Sequence, residues 1–388
     1  MKLLFVHDFP AEKYSKKNEY YSTGFPYIIW KRYLKVFDKL LISSRYKEIN
    51  NIESKSLSSV TNVKFYPVKS YNSPLSLIKN RKKILREINE AIDQVDAVLI
   101  RVPSVLGFLA AKICIDANKP YMVEVVGSAF EAYRYHGSVS GKILAIPMEI
   151  SQKIVVRNAK LAIYVTKSYL QRKYPTKGER FDGISDVVKM KMTKSDFTKS
   201  NDKIIKIGLI GSTYTRYKGH KEALMALSIL KKQGFEIQLQ IVGQGLSRDV
   251  KKYITRFNLN EDVIHLGVIY DKEKLSEWFS EIDIYIQPSM TEGLCRSLIE
   301  SVYLNKITFA SNVGGNSDII SKPFLFKQKD YKKLAKLIKR SIEEPEFNKL
   351  NLIENKMLIK NLKLDTVEER RIEALNKFKT IVKEGWNS

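Results

Sequence analysis

Residues 288–300 read Pro-Ser-Met-Thr-Glu-Gly-Leu-Cys-Arg-Ser-Leu-Ile-Glu and set two carboxylates, Glu292 and Glu300, eight positions apart. They straddle the passage from an apolar run at 282–286 to a helical pattern at 298–303. Glu292 then falls in a turn and Glu300 about two helical turns later on the same face. Gly293 lets the backbone pass close to a ligand, and the N-terminus of the helix offers unpaired N–H groups to an anion. The same stretch also reads as a plain strand, turn and helix with two surface glutamates. Residues 211–219, Gly-Ser-Thr-Tyr-Thr-Arg-Tyr-Lys-Gly, again join a strand to a helix and supply two glycines, three hydroxyls of Ser and Thr type, Arg216 and Lys218. Backbone N–H groups with a nearby cation suit a diphosphate. The segment is neither a P-loop nor the G-x-G-x-x-G fingerprint. Gly314-Gly315 follows a further strand and either permits close backbone approach or makes an ordinary tight turn.

The remaining reactive side chains are dispersed. His7, His136, His220 and His265 show no zinc-ligand spacing, and Cys114 and Cys295 are far apart. A metal site is not expected, and the two lone cysteines point to a reducing compartment. His220 opens a helix. His136 lies in the aromatic and basic run Tyr133-Arg134-Tyr135-His136-Gly137 after a strand end, where it is a candidate to line a cleft. Gly24, before the first helix, is either a flexible loop residue or a point of close approach to a phosphate.

The elements that must carry these residues alternate strand and helix. In the first half, strands are expected at 3–7, 40–43, 63–67, 97–101, 121–126 and 161–165. Helices are expected at 25–36, from 73 to about 94, at 106–117 and at 147–158. Residues 175–203 lose apolar periodicity, and 191–202 read as a linker, which places a boundary near 190–202. The pattern then restarts. Strands at 203–210, 237–242, 263–266, 282–286 and 307–310 alternate with helices at 220–233, 246–257, 273–279 and 330–342, and an amphipathic helix closes the chain at 366–385. Such alternation specifies an α/β protein with parallel sheets covered on both faces. Two successive halves of this kind predict two Rossmann-like domains, 1–190 and 203–365, facing an interdomain cleft. Glycine-rich turns at 24, 127, 211, 243 and 314 all follow strand ends, where open parallel sheets bind ligands.

At 388 residues the chain is too long for one ordinary core. It carries 67 Lys and Arg against 42 Asp and Glu, a net charge of +25. Residues 1–200 hold 35 basic against 18 acidic side chains, so the first half prefers anionic partners: nucleic acid, an anionic membrane surface or a phosphorylated substrate. A lysine-rich background composition explains the same numbers. The N-terminal apolar run is too short for a signal peptide, and no run reaches the roughly 18 apolar residues that span a bilayer. A cytoplasmic protein, soluble or peripheral at the inner face of the cell membrane, is expected. The segment Lys79-Asn80-Arg81-Lys82-Lys83-Ile84-Leu85-Arg86 is basic on one side. With Leu75, Leu77, Ile78 and Ile88 it reads either as a helix lying on an anionic bilayer or as an ordinary helix turned to the core, the second being the simpler.

Taken in order, Lys218-Gly219, Val242-Gly243-Gln244-Gly245, Leu266-Gly267-Val268, Pro288-Ser289-x-x-Glu292-Gly293-Leu294 with Glu300, and Gly314-Gly315 resemble the GT-B glycosyltransferases, specifically the large retaining family 4. The match runs over about residues 203–320, and the first half agrees in architecture. The resemblance implies that the second domain binds a nucleotide-sugar donor. Glu300 would accept hydrogen bonds from the ribose and Glu292 from donor-sugar hydroxyls. The N–H groups of Gly293, Leu294 and Cys295 would meet sugar or phosphate oxygens, with Gly211, Ser212, Thr213, Gly243 and Val268 completing the donor pocket. Lys218 and Arg216 would neutralise the departing diphosphate, so no metal or other cofactor is implied. Retention would follow from attack on the face the diphosphate leaves. Many relatives carry histidine or aspartate just after the strand at 121–126. This chain has Gly127-Ser128-Ala129-Phe130-Glu131 there, which leaves Ser128, Glu131, His136 and Gly24 as acceptor-side candidates. The closing helix, 366–388, would pack back on the first domain.

The sequence therefore predicts a transferase moving a sugar, from a UDP-sugar, to a lipid-linked or saccharide acceptor in bacterial surface polysaccharide synthesis. A GT-B sugar-nucleotide epimerase shares the donor motifs and is the alternative. A basic nucleic-acid-binding protein fits the charge but lacks any nucleic-acid-binding motif, so no nucleic acid is expected as a partner.

Overall fold

The structure, a computed structural model, describes residues 1–53, 55–135, 137–185, 204–362 and 364–385. The linker expected at 191–202 and the candidate His136 lie outside the described residues. The chain forms two compact units. One comprises residues 1–129, 146–184 and 365–388, and the other 130–145 and 185–364.

The first unit is built on strands that are buried along nearly their whole length, as both faces of a parallel sheet require. In spatial order the parallel strands are Val63–Phe65, Lys39–Ile49, Lys2–Tyr14, Ala97–Val102, Tyr121–Val125, Leu161–Tyr164 and Glu179–Phe181. Chain order reverses between Lys2–Tyr14 and Ala97–Val102. The first strand is longer than the five residues expected. Its register along Lys39–Ile49 shifts between Val6 and Pro10, where residues 7–9 stand opposite Ser44 alone, and pairing resumes from Pro10 to Tyr14. A short antiparallel flap, Glu19–Ser22, folds onto that extension.

Three helices depart most from their sequence patterns. The expected helix at 73–94 is two, Pro74–Lys79 and Arg81–Asp93, with Asn80 at φ −105° between them. Arg81–Asp93 buries Ile84 and Ile88 as an ordinary amphipathic helix does, whereas Leu75 and Ile78 on Pro74–Lys79 stay exposed. The helix expected to begin at Pro147 begins at Val139 and runs to Asn158. Proline is favoured in a first turn, which is how it reads in sequence. Packing decides otherwise, because Gly141, Ala145, Gln152, Val155 and Val156 form one continuous inner face across Pro147. Helix Pro345–Ile359 has no counterpart in the expected elements. Its exposed Leu350, Ile353 and Met357 lie opposite buried Phe347, Asn351 and Asn355 and blur the 3.6-residue period.

The last helix, Leu364–Glu384, belongs to the first unit. Val367, Ala374, Leu375, Phe378 and Val382 enter that unit's core. Arg371, fully buried, donates to Glu124 at 2.7 Å, and Glu124 also receives Arg101 at 2.9 Å and the Tyr33 hydroxyl at 3.0 Å. A carboxylate so placed costs free energy unless it is paired, and these donors supply the pairing.

In the second unit the order is Val263–Gly267, Ile237–Val242, Ile205–Ile210, Ile284–Gln287, Ile307–Ser311 and Leu325–Phe326, all parallel. Numbered along the chain this is 3-2-1-4-5-6, the doubly wound order. Its direction reverses between Ile205–Ile210 and Ile284–Gln287, and a crevice opens beyond the carboxyl ends of those two strands.

Candidate active site

The site grows from that reversal. Ile205–Ile210 ends at Gly211 and passes through the short 3-10 turn Arg216–Lys218 to Gly219. Ile284–Gln287 ends at Pro288 and passes through 289–295 to helix Arg296–Tyr303. The two connections lie against each other. Gly219 has φ +77°, and a Cβ there would fall 1.9 Å from the carbonyl oxygen of Pro288. Only glycine satisfies both the left-handed backbone and that approach. The Met290 N–H donates to the Tyr217 carbonyl at 2.7 Å. On the other flank Gly314, at φ +54°, meets the Glu292 carbonyl, where a Cβ would stand at 1.8 Å, and the Gly315 N–H donates to the Gly293 carbonyl at 2.8 Å.

This packing brings Lys218 to Glu292. The ammonium donates to Oε1 at 2.8 Å, with the lysine side chain 22% and the glutamate 10% exposed. The same oxygen receives the Ser289 hydroxyl at 2.7 Å and Gln287 Nε2 at 3.4 Å. Gln287 Nε2 also donates to Ser289 Oγ at 2.8 Å, and the Tyr285 hydroxyl donates to Gln287 Oε1 at 2.6 Å. Glu292 is thus oriented by a buried polar chain rising from the strand end. Burial alone would depress the lysine, but the Glu292 carboxylate beside it raises the Lys218 pKa above its ordinary value. The cation is permanent at physiological pH. Burial, with the Glu292 charge behind it, pushes the Cys295 thiol up to about 12, so it is a packed and inert thiol.

Glu300 sits elsewhere. Helix Arg296–Tyr303 starts two residues earlier than expected, so Glu300 stands in its second turn, half-buried. Burial raises its pKa against the pull of Arg296 and Lys272. The two glutamates therefore have different partners, Glu292 the Lys218 ammonium, and Glu300 the charges of Arg296 on its own helix and of Lys272 at the start of helix Lys272–Glu281. The N-terminus of Arg296–Tyr303 carries no side-chain cap, so its leading N–H groups have no side-chain partner from the N-cap residue Cys295.

The glycine-rich segment after Ile205–Ile210 is pinned to its neighbour. The Thr213 hydroxyl, buried, donates to the Gly245 carbonyl at 2.8 Å and accepts from the Ser247 N–H at 2.7 Å. The Ser212 hydroxyl donates to the Gln244 carbonyl at 3.2 Å. These hydroxyls shape the loop around Gly211 and Gly243. A Cβ on Gly211 would press on Lys218 Cγ at 3.0 Å, so that glycine makes room for the lysine. His220, buried, is hydrogen-bonded through Nε2 to the Gly211 carbonyl at 3.1 Å, and burial pushes its pKa down to about 4. Val268, beyond the strand Val263–Gly267, is 43% exposed.

Arg216 has a partner of its own. Its guanidinium is on the surface and pairs with Asp249 at 2.8 Å, while Lys218 pairs with Glu292. Of the acceptor-side candidates, Glu131 lies on helix Ala129–Arg134 within the second unit and accepts from the Thr291 hydroxyl at 2.5 Å, next to Glu292. Ser128 is buried in the first unit and is hydrogen-bonded to the Tyr174 hydroxyl at 2.8 Å. Gly24 is exposed, and a Cβ there would meet nothing within 4 Å. The sequence reading gave Ser289 only as part of the Pro288-Ser289-x-x-Glu292 motif and missed Gln287, Thr291 and Lys272. Gln287 carries a usable signal, a polar residue ending an otherwise apolar strand. Lys272 has none, because it is one lysine among many.

Comparison with known proteins bears on what this site serves. Residues 192–361 match the family model described as glycosyl transferases group 1. Protein CapJ of Staphylococcus aureus is 50% identical over 382 residues, which is 98% of this chain and 97% of that protein. Among solved structures, HepE of Anabaena in complex with UDP-glucose superposes with a TM-score of 0.66 at 17% identity, covering 97% of this chain and 100% of that one. Sucrose-phosphate synthase from Thermosynechococcus elongatus gives 0.66 at 16% identity, covering 100% and 98%. At such identities the two structures speak for the fold, which is GT-B. With the donor-half motifs at a strand-order reversal, a family model spanning that half and a relative matching from end to end, the chain belongs to the glycosyl transferases group 1 family and is a glycosyltransferase.

Proposed function

We propose that this glycosyltransferase moves a sugar, with retention at the anomeric carbon, from a UDP-sugar to a lipid-linked or saccharide acceptor in bacterial surface polysaccharide synthesis. It would work in the cytoplasm at the inner face of the membrane. The observation that carries the reading is the Lys218–Glu292 pair, set beyond the carboxyl ends of the two strands where sheet order reverses. Lys218 lies where a leaving diphosphate gathers negative charge and holds a cation there without reorganisation. The uncapped start of helix Arg296–Tyr303 adds N–H donors for phosphate or sugar oxygens. Glu292, fixed by Ser289 and Gln287, presents its second oxygen to hydroxyls of the donor sugar, and Glu300 takes the ribose. With these cations and dipoles no metal is needed to stabilise the diphosphate. In the retaining reaction the acceptor oxygen attacks C1 on the face the diphosphate leaves, the C1–O bond to phosphate breaks, and a phosphate oxygen takes the acceptor proton. The UDP choice is supported by HepE, which is held with UDP-glucose. The lipid-linked acceptor is supported by the +17 balance of residues 1–200.

A thermal-shift panel of nucleotide sugars tests the donor. A UDP-sugar at about 100 times its Kd stabilises by about 2.7 kcal/mol. Stabilisation by ADP- or GDP-sugars in place of UDP-sugars would overturn the base assignment, and no response to any nucleotide sugar would overturn the site.

A further inference from the structure

Helix Val139–Asn158 carries more apolar surface than its core contacts use. Its inner face is fully engaged. Gln152 donates to the Gly127 carbonyl at 2.8 Å and accepts from the Ala129 N–H at 2.7 Å, and the Val155 carbonyl accepts from the Tyr121 hydroxyl at 2.7 Å. The opposite face holds Val139, Ile143, Ile146, Ile150 and Ile154, each between 51% and 75% exposed. At about 100° per residue these five fall within an arc of about 80°, one unbroken stripe. Pro147 lies at the edge of the same arc and is also exposed. Scattered exposed aliphatics need no explanation, but a continuous stripe of this length marks an interaction surface.

The charges bordering the stripe indicate the occupant. Lys142 and Lys153 lie along one edge of it, Arg157 closes its C-terminal end in line with Val139, and Lys160 follows just beyond the helix. The one acidic residue of the helix, Glu149, is turned to the core side, where it accepts from the Tyr174 hydroxyl and pairs with Lys153 at 3.6 Å. An apolar stripe edged by cations is complementary to an anionic bilayer, with aliphatics among the acyl chains and ammonium groups at the phosphates. A second copy of this chain would bring cationic edges together on proteins that each carry +25. The exposed pair Leu75 and Ile78, followed by Lys79, Arg81, Lys82 and Lys83, repeats the same chemistry on the first unit.

We propose that the outer face of helix Val139–Asn158 is a membrane-docking surface that lies in the headgroup region of an anionic bilayer. This rests on the reading of a membrane-borne acceptor and names the face that would meet the membrane.

The test is co-sedimentation with vesicles of mixed phosphatidylglycerol and phosphatidylcholine, and of phosphatidylcholine alone. The full chain is compared with Ile146→Asp/Ile150→Asp and Ile146→Leu/Ile150→Leu. The parent and the leucine variant should bind the anionic vesicles, less so at high salt, and the aspartate variant should lose about tenfold or more. The UDP-sugar thermal shift should be unchanged in all three, because the substituted side chains point outward. If the aspartate variant fails to fold, Ile150→Cys bearing a polarity-sensitive fluorophore gives the same answer: a blue shift on anionic vesicles is expected, and an unmoved spectrum refutes docking. Equal binding by parent and aspartate variants would sink this face while leaving the membrane reading intact. No binding by the parent would remove both. A parent that is dimeric by light scattering, with a monomeric aspartate variant and no vesicle binding, would make the occupant a second copy and overturn the proposal.

Discussion

Replacing Glu292 by Gln and Lys218 by Gln, singly and together, probes the pair on which the site depends. At 2.8 Å and an effective dielectric constant near 20, the Coulomb attraction is about 6 kcal/mol, most of it offset by desolvation. A hydrogen bond to a charged group retains a net of about 1.5–3 kcal/mol. Glu292→Gln keeps an oxygen for Ser289 and for the ammonium but loses the charge, and charge assistance roughly doubles such a bond. A loss of about 1–2 kcal/mol follows. Lys218→Gln leaves a carboxylate, only 10% exposed, without its cation, and costs more, about 2–4 kcal/mol. The double variant removes both charges and should cost at least about 1 kcal/mol less than the sum of the single losses. Scanning calorimetry measures this, each kcal/mol moving a transition by roughly 2–4 °C for a unit of this size. On the reaction, Lys218→Gln should lower kcat by about 10²–10³-fold, the scale of one transition-state charge donor, and Glu292→Gln should lower kcat more than it raises KM. Additive stability losses, within about 0.3 kcal/mol, or a kcat for Lys218→Gln near that of the parent, would refute the pair as a working unit.

Two further outcomes follow from buried titratable groups. Glu300 has a pKa raised by burial, so its charged form destabilises the folded state. That penalty is absent below the ordinary carboxylate range near pH 4.3 and complete above the raised folded value. Glu300→Gln should therefore raise Tm of the free protein at pH 7 and not at pH 4, while weakening UDP-sugar binding in calorimetric titration; weaker Tm at both pH values with unchanged affinity would contradict the assignment. His220 has a folded pKa of about 4 against 6.5 unfolded, so the unfolded state binds the extra proton and stability falls as pH drops from about 6.5 toward 4. The loss amounts to about 3 kcal/mol, and a Tm-against-pH profile for His220→Gln should lack it over that window.

The donor half was legible because its signals are local. Strand ends, Lys218-Gly219, Gly293 and Gly314-Gly315 are each a turn requirement or a close approach that a particular residue type satisfies. Gly219 and Gly314 read as turn glycines, and the structure adds what they approach, the carbonyls of Pro288 and Glu292. Arg216 and Lys218 are two residues apart in one 3-10 turn yet take different partners, Asp249 and Glu292, a choice that the sequence does not express. Ser128 looked like a loop residue at a strand end and is buried in a hydrogen bond with Tyr174, since polar side chains inside a core are indistinguishable by type from those at a surface. The helix from Val139 was cut short at Pro147 because local preference at proline is strong, while the inner face that carries the helix through it is a tertiary contact.

By itself the sequence determined the doubly wound α/β class, the alternation of strand and helix, the placement of the glycine turns, and the residue types available for an anionic, hydroxyl-rich ligand. All of these follow from periodicity and backbone sterics within a few residues. Only the tertiary structure decided that Glu292 pairs with Lys218, 74 residues earlier, and that Glu300 does not. It also decided that Glu124 meets Arg371, 247 residues later, and that the isoleucines of Val139–Asn158 face outward. Those outcomes depend on which faces the packed layers leave uncovered and on burial strengthening one ion pair among many lysines and glutamates, and neither is a property of any short stretch of chain.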